Sequence, residues 1–136
     1  MTADTTEAAR AHFESLSKRG TGLLGSKYSV MAGAMSWLSE RSLVAAISNA
    51  GGFGVIACGS MNANQLDEEI QATAMLTNCP FGVNLITMHP DLEALIEVCI
   101  GRKVTHVALA GSLPASASIK RLASAGIKVI AFAPAL

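Results

Sequence analysis

The sequence predicts an α/β protein with a parallel sheet, and three features of its 136 residues indicate this class. Short apolar segments alternate with capped or amphipathic helical segments from Tyr28 onward. The apolar segments are hydrophobic at nearly every position, as is typical of strands covered on both faces. Hydrophobic residues make up 51% of the chain and charged residues only 15%, which indicates a folded core rather than a disordered chain.

The individual elements follow from this alternation. Strands are predicted at residues 28–33, 54–57, 81–86, 106–110 and 128–132, and helices between them at 40–49, 64–76, 92–100 and 117–125. A short amphipathic helix is predicted earlier, at 8–18, before three closely spaced glycines. Ser39 is expected to cap the first of the later helices, and Asn62 or Asn64 the second. Gly126 is expected to end the fourth.

The repeat length favours one of two architectures. Successive predicted strands begin about 25 residues apart, close to the ~250 residues that eight βα units occupy in a barrel. A doubly wound sheet is the alternative, but Gly51, Gly52 and Gly54 close a helix and lead into a strand. The dinucleotide fingerprint has the opposite order, from strand to helix. The pattern therefore favours a TIM-type (β/α)8 barrel, of which this chain holds the first five strands and four helices.

Two segments are expected, a lead-in helix at residues 1–27 and the first part of the barrel at 28–136. Five strands cannot close a barrel, and an open apolar edge promotes association. We therefore expect that the chain is part of a longer protein. A homo-oligomer that pairs through the open barrel edges is the alternative.

Charge and cysteine content exclude several classes of function. Ten acidic and ten basic residues give no net charge, so neither nucleic acid nor a membrane surface is an expected partner. Cys58, Cys79 and Cys99 form no CxxC pair, so no disulfide framework and no metal site are expected. Reduced thiols are typical of a cytoplasmic protein. No uncharged apolar run approaches the ~20 residues of a membrane helix.

Ligands of parallel α/β proteins bind beyond the carboxyl ends of the strands. The loops predicted there are small, uncharged and glycine-bearing, at 34–37, 58–61, 84–89, 111–114 and 133–134. The Asn84 carboxamide can donate and accept hydrogen bonds, which suits the edge of a heteroaromatic ring. An asparagine that bonds its own loop backbone is the other interpretation, and the residues alone slightly favour it. Met35 and Trp37 could flank a ring, but core packing is the favoured interpretation for both.

The histidines and Cys58 offer little acid–base chemistry. His89 lies on the ligand side but precedes a helix-initiating proline, so a structural role is favoured. His106 begins a strand and is expected at the opposite end, and His12 is expected on the surface of the first helix. Cys58 ends a strand without a neighbouring base or cation, so it is expected to be a small buried residue.

Three motifs in this order resemble the nitronate monooxygenases, also called 2-nitropropane dioxygenases. They are residues 31–37 (MAGAMSW), 43–56 (LVAAISNAGGFGVI) and 80–85 (PFGVNL). Residues 107–111 (VALAG) and 125–130 (AGIKVI) fit the family's fourth and fifth strands. The FMN-dependent enoyl-ACP reductases share the pattern. The resemblance implies a βα-barrel that carries non-covalent FMN.

The resemblance also implies roles for individual residues. Gly33, Ala34 and Met35 match the first-strand segment whose backbone lies against the flavin. Asn84 matches the asparagine that contacts the isoalloxazine region, and Gly111 lies in the fourth-strand loop beside the cofactor. Many relatives have two glycines in that loop, whereas this chain has Gly111-Ser112. The family's catalytic histidine and its phosphate-binding loops would lie beyond residue 136, so the catalytic residue is unknown.

The expected function is therefore FMN-dependent oxidation of alkyl nitronates, or of a related carbanion, with oxygen. The alternatives are an FMN-dependent enoyl-ACP reductase, reduced by a nicotinamide donor, and a non-catalytic half-barrel that needs a partner. The 136-residue chain alone is expected to bind FMN weakly and to oxidise no nitronate.

Overall fold

A computed structural model describes residues 3–132, and the predicted loop at 133–134 lies outside the described residues. The elements in chain order are α1 (Ala3–Leu24), α2 (Arg41–Asn49), β1 (Gly54–Ala57), α3 (Ala63–Leu76), β2 (Phe81–Ile86), α4 (Leu92–Gly101), β3 (His106–Ala110), α5 (Ser116–Ser124) and β4 (Lys128–Ala131). Within this part of the chain, four strands form one parallel sheet in the order β1-β2-β3-β4. The α/β class and the parallel pairing are confirmed.

The strand predicted at residues 28–33 is wrong. Met31 forms only an isolated bridge with Phe53, flanked by hydrogen bonds from Phe53 N–H to Val30 O (2.9 Å) and from Ala32 N–H to Phe53 O (3.0 Å). Further along β1, Ala57 N–H donates to the carbonyl of Ser39 instead (3.0 Å). With the bond from Tyr28 N–H to the carbonyl of Gly51 (2.9 Å), three hydrogen bonds join the segment to the residues before β1. None of them reaches β1 itself, so no fifth strand forms.

Helix α1 is twice as long as predicted, because two of its glycines do not end it. It spans 22 residues and stops before Gly25, which has a left-handed φ of +70°. A β-carbon on Gly20 would lie 2.6 Å from Cβ of Ser29, so this glycine lets the following segment approach the helix. No helix among residues 3–132 is both long and apolar enough to cross a lipid bilayer.

The other helices agree with the prediction to within one residue at each end. The cap of α2 differs, because Glu40 rather than Ser39 accepts from the backbone N–H groups of Ser42 and Leu43 (both 3.1 Å). The bond from Ser42 N–H, above all, lowers the pKa of Glu40. Asn62 caps α3 as predicted, in a reciprocal capping box with Gln65.

The two faces of the sheet differ in what covers them. One face packs against α2 to α5 and forms the main core, with residues Ile56, Cys58, Val83, Leu85, Val107 and Leu109 from the strands. Because side chains alternate along a strand, the residues between these point to the other face. A smaller cluster of Leu24, Phe53 and Val55 covers part of that second face, near the end of α1.

Candidate functional site

Asn84 lies in the middle of the second face of the sheet. Its neighbours Val83 and Leu85 belong to the helix-covered core, so the Asn84 side chain points the other way. The register aligns it with Ala57 on β1 and Ala108 on β3, both small residues. The carboxamide therefore stands between two short side chains, where a ligand can reach it.

The Asn84 amide has no hydrogen-bond partner among residues 3–132, although the residue is only 9% exposed. Every fully buried side-chain nitrogen or oxygen in the described chain has such a partner. The Asn84 amide is therefore still open to solvent at this face. Its backbone carbonyl accepts from Cys58 N–H (3.4 Å) and from Cys58 Sγ (3.0 Å). The described contacts thus do not support an asparagine side chain that bonds its own loop backbone.

Ser39 holds the segment before α2 in place. Its hydroxyl accepts from Met35 N–H (2.9 Å) and donates to the carbonyl of Gly33 (3.4 Å). Its carbonyl accepts from Ala57 N–H at the end of β1. The residue is 4% exposed, so these bonds are sheltered from water. The sequence predicted Ser39 as a helix cap, because a serine just before a helix can either cap that helix or bond the preceding segment.

Residues 35–38, just before Ser39, form a tight turn that exposes two large side chains. Leu38 N–H donates to the carbonyl of Met35 (3.1 Å), and Trp37 between them has a φ of +67°. Met35 is 46% exposed and Trp37 is 84% exposed, so the core packing expected for both is wrong. The turn leaves these side chains exposed, which periodicity cannot reveal because the segment is in no regular element.

The loops after β2 and β3 are joined through one hydroxyl. Thr87 Oγ1 accepts from Ser112 N–H (2.8 Å) and lies 2.9 Å from the Ser112 hydroxyl. Gly111 has a φ of +108°, and a β-carbon there would lie 3.2 Å from the same Thr87 oxygen. Glycine therefore suits both the backbone conformation and the close approach. Ser112, in the position of a second glycine, strengthens this contact.

The histidines contribute structure. His89 Nδ1 accepts from Asp91 N–H (3.0 Å) at the start of α4. His106 lies at the amino end of the sheet as predicted, 3% exposed, with its ring 4.7 Å from that of Phe53. Its Nε2 donates to the carbonyl of Leu23 (2.7 Å). His12 is exposed on α1, also as predicted.

Cys58 is buried, as predicted, and so is Cys99. Burial raises the pKa of each thiol to about 12, so neither is a thiolate at neutral pH. Residues 3–132 contain no group of three or more His, Cys, Asp or Glu that could hold a metal ion. What this face offers is hydrogen bonding, apolar contact and close backbone approach, which serve to bind and orient a ligand.

Comparison with known proteins agrees with the geometry. The family model described as nitronate monooxygenase matches residues 17–136. A dehydrogenase of Rhodococcus jostii strain RHA1, named for (3aS,4S,5R,7aS)-5-hydroxy-7a-methyl-1-oxo-octahydro-1H-indene-4-carboxyl-CoA, is 36% identical over 110 residues, which cover 81% of this chain and 31% of the dehydrogenase. A probable nitronate monooxygenase of Staphylococcus saprophyticus is 43% identical over 92 residues, or 68% of this chain and 24% of that protein.

Two solved structures are similar as well. FabK from Thermotoga maritima superimposes with a TM-score of 0.80 at 37% identity, over 83% of this chain and 36% of FabK. Nitroalkane oxidase from Streptomyces ansochromogenes gives 0.73 at 25% identity, over 83% of this chain and 42% of that structure. The chain thus spans about a third or less of the curated relatives it matches. It belongs to the nitronate monooxygenase family of oxidoreductases.

Proposed function

We propose that this chain is the first part of an FMN-binding βα-barrel enzyme that oxidises alkyl nitronates, or related carbanions, with oxygen. Residues 1–27 are the lead-in to the barrel and 28–136 its first part. The observation that carries the proposal is the Asn84 amide, which is 9% exposed and has no partner among residues 3–132. Its position on the second face of the sheet supports contact with a cofactor inside the barrel.

The surrounding residues fit a flat heteroaromatic group. A β-carbon on Gly33 would meet nothing within 4 Å, so the backbone is open at this residue. Ser39 already fixes this segment through the amide of Met35. Gly111 presents a second glycine backbone from the loop after β3. We therefore propose that the flavin is contacted by Asn84 and by four further residues, Gly33, Ala34, Met35 and Gly111.

When bound, FMN supplies the redox chemistry, and the protein supplies position, proton transfer and exclusion of water. Asn84 orients the ring edge by donating and accepting hydrogen bonds. Apolar side chains of the surrounding loops, such as Met88, keep water from the site. The base that takes or holds the substrate proton is proposed to lie beyond residue 136. The free thiols of Cys58 and Cys99 agree with a cytoplasmic location.

Flavin titration tests the role of Asn84. We expect Asn84→Ala to weaken FMN binding about tenfold, the loss of one or two hydrogen bonds to a buried ligand. Asn84→Asp keeps the shape but loses the donor, so it should weaken binding similarly. Asn64→Ala, which changes an exposed asparagine on α3, is the matched control. Equal FMN affinity in all four proteins would exclude Asn84 as a contact.

Oxygen uptake tests the reaction. The complete protein should bind one flavin per protomer and consume oxygen when ethyl nitronate is added, whereas the 136-residue chain alone should not. Nitronate-dependent oxygen uptake by the short chain would contradict the need for the remaining barrel. A complete protein without flavin would overturn the proposed function itself.

An FMN-dependent enoyl-ACP reductase is the second candidate. It is favoured by the likeness to the FabK structures, at 36% and 37% identity against 25% for nitroalkane oxidase. The electron donor separates the two functions. Rapid consumption of NADH or NADPH with an enoyl thioester, and no oxygen uptake with nitronate, would favour the reductase.

A half-barrel that binds a partner or a second copy is the remaining alternative. Strand β4 is the open edge of the sheet among the described residues, and its ends, Lys128 and Ala131, are exposed. Size-exclusion chromatography of the 136-residue chain would decide, since an edge-paired dimer elutes at twice the monomer mass.

A further inference from the structure

Trp37 occupies a backbone position that normally requires glycine. The hydrogen bond from Leu38 N–H to Met35 O closes a four-residue turn, with Trp37 third at a φ of +67°. Ser39 N–H also donates to the carbonyl of Met35 (2.9 Å), so two hydrogen bonds hold the turn. Glycine is usual at the third position because a β-carbon is strained there, most of all in a bulky residue.

Burial does not offset this strain. Trp37 is 84% exposed, and its indole donates no hydrogen bond to any residue between 3 and 132. Neither burial nor a hydrogen bond of the indole to residues 3–132 therefore compensates for the backbone strain at Trp37. Strained residues of this kind concentrate at functional sites, where the side chain contacts a ligand.

The indole borders a recess beside the proposed flavin site. The recess has a volume of about 310 Å³, and three of its ten lining residues are apolar, Trp37, Ala57 and Met61. Ser39 also lines it, and the same Ser39 hydroxyl bonds the amide of Met35. Through Ser39, the recess adjoins the segment that we propose lies against the flavin.

The charges around the recess select against an anion. Arg41 is paired with Glu69, whose carboxylate also accepts from the Arg41 backbone N–H, so this cation is already neutralised. Glu40 and the exposed Glu68 add negative charge to the lining. An anionic nitronate group is repelled here, whereas an uncharged apolar chain is not. The recess thus disfavours the anionic, reacting head of a nitronate.

We propose that Trp37 is a specificity-determining residue that contacts the apolar alkyl or alicyclic part of the substrate. This inference rests on the proposed function and names the substrate class for the same site. Exposed apolar side chains on the neighbouring loops agree with it, since Met88 is 70% and Leu113 79% exposed. A substrate with a longer apolar chain binds better because each buried methylene adds to its affinity.

Chain-length dependence in the complete protein tests the inference. Wild type should have a KM for octyl nitronate at least about tenfold below that for ethyl nitronate. Trp37→Gly should raise the KM for octyl nitronate about tenfold more than that for ethyl nitronate, and Trp37→Phe should restore part of the difference. Phe13→Ala removes an exposed aromatic ring from α1 and should leave the preference unchanged.

Thermal unfolding separates ligand contact from packing. Because glycine relieves the positive φ, Trp37→Gly should melt at the same temperature as wild type or higher. A melting temperature several degrees lower would show that the indole packs against another part of the complete protein and would overturn the inference. An unchanged chain-length preference in Trp37→Gly would overturn it as well.

Fluorescence tests the inference apart from catalysis. Trp37 is the only tryptophan among the 136 residues, and the difference in emission between wild type and Trp37→Phe isolates its signal in the complete protein. The apolar contact is supported if 1-nitrooctane changes this emission in a saturable way and nitroethane quenches it only linearly. No saturable change would overturn it. If the emission changes in a saturable way but the complete protein turns over no nitronate, the proposed function is contradicted and this inference is still supported.

Discussion

The two ends of the sheet differ in whether every buried polar side chain has a partner. At the amino end, polar side chains tie elements together: His106 Nε2 (2.7 Å) and Lys128 Nζ (2.7 Å) both donate to the carbonyl of Leu23. Ser48, 1% exposed, bonds Pro80 O and Gly54 N–H there (both 3.2 Å). Toward the carboxyl end, Thr87 and Ser39 also join neighbouring segments, but the Asn84 amide has no partner among residues 3–132.

The close packing of the backbone differs between the ends, although positive φ occurs at both, for example at Gly51 and Lys103 near the amino end. Near the amino end of β1, glycine serves packing, because a β-carbon on Gly54 would lie 2.9 Å from Cα of Val44. At the carboxyl end, Gly111 and Trp37 have positive φ, and Trp37 stays exposed. We therefore expect stability to be concentrated at the amino end and ligand contact at the carboxyl end. Variants at the amino end should lower stability, whereas variants at the carboxyl end should lower affinity.

The largest expected effect is that of Gly54→Ala. The added carbon would collide with the carbonyl oxygen of Val44 and with its Cα, both rigid backbone atoms of α2. We expect a loss of about 3 kcal/mol in the free energy of unfolding, measured with urea. Gly22→Ala is the control, because nothing lies within 4 Å and alanine favours the helix by about 0.5–1 kcal/mol. Equal stability of the two variants would refute the packing role of Gly54.

Ser48→Ala should have the next largest effect. It leaves the buried Gly54 N–H and the carbonyl of Pro80 without their side-chain partner, which costs about 1–3 kcal/mol. Urea unfolding measures the loss, and FMN affinity of the folded protein should not change. Reduced affinity at unchanged stability would break the division between the two ends.

His106→Gln should change how stability depends on pH. Burial, with help from the charge of Lys128, lowers the pKa of His106 below 6.5, against the opposing bond to Leu23 O. The unfolded chain then binds the proton more readily, so stability is full above pH 6.5 and falls as the pH drops toward the lowered pKa. Glutamine can still donate to Leu23 O but does not titrate. Unfolding curves at pH 7.5 and 5.5 should therefore differ less in the variant, and an equal difference would exclude His106 as the cause.

Thr87→Val should have the smallest effect on stability and sharpen the contrast. It removes the acceptor for Ser112 N–H on an exposed loop, which costs within about 0.5 kcal/mol in unfolding free energy. Because the Gly111 loop loses its tether, FMN affinity should fall several-fold. Thr87→Ser keeps the hydroxyl and should retain the affinity. A variant that loses stability but not affinity would show that this contact belongs to the fold alone.

The sequence predicted the regular elements well and the segment before α2 poorly. Strands β1, β2 and β3 have the predicted bounds, since runs of apolar residues between capped helices are a local signal. The sequence around Met31 also has the apolar pattern of a strand, but a strand forms only where a neighbouring strand supplies hydrogen bonds. Ala57 N–H binds the carbonyl of Ser39 instead, a contact across the fold that no periodicity contains.

The sequence by itself determined the class of fold, the parallel order and the family, because these depend on hydrophobic periodicity, caps and contiguous motifs. Only the tertiary structure decided that Asn84 points away from the helices without a described partner, that Ser39 fixes Met35, and that Trp37 is exposed. These properties depend on which strand lies beside which and on how a turn directs its side chains. Neighbours in space, not in sequence, create the site.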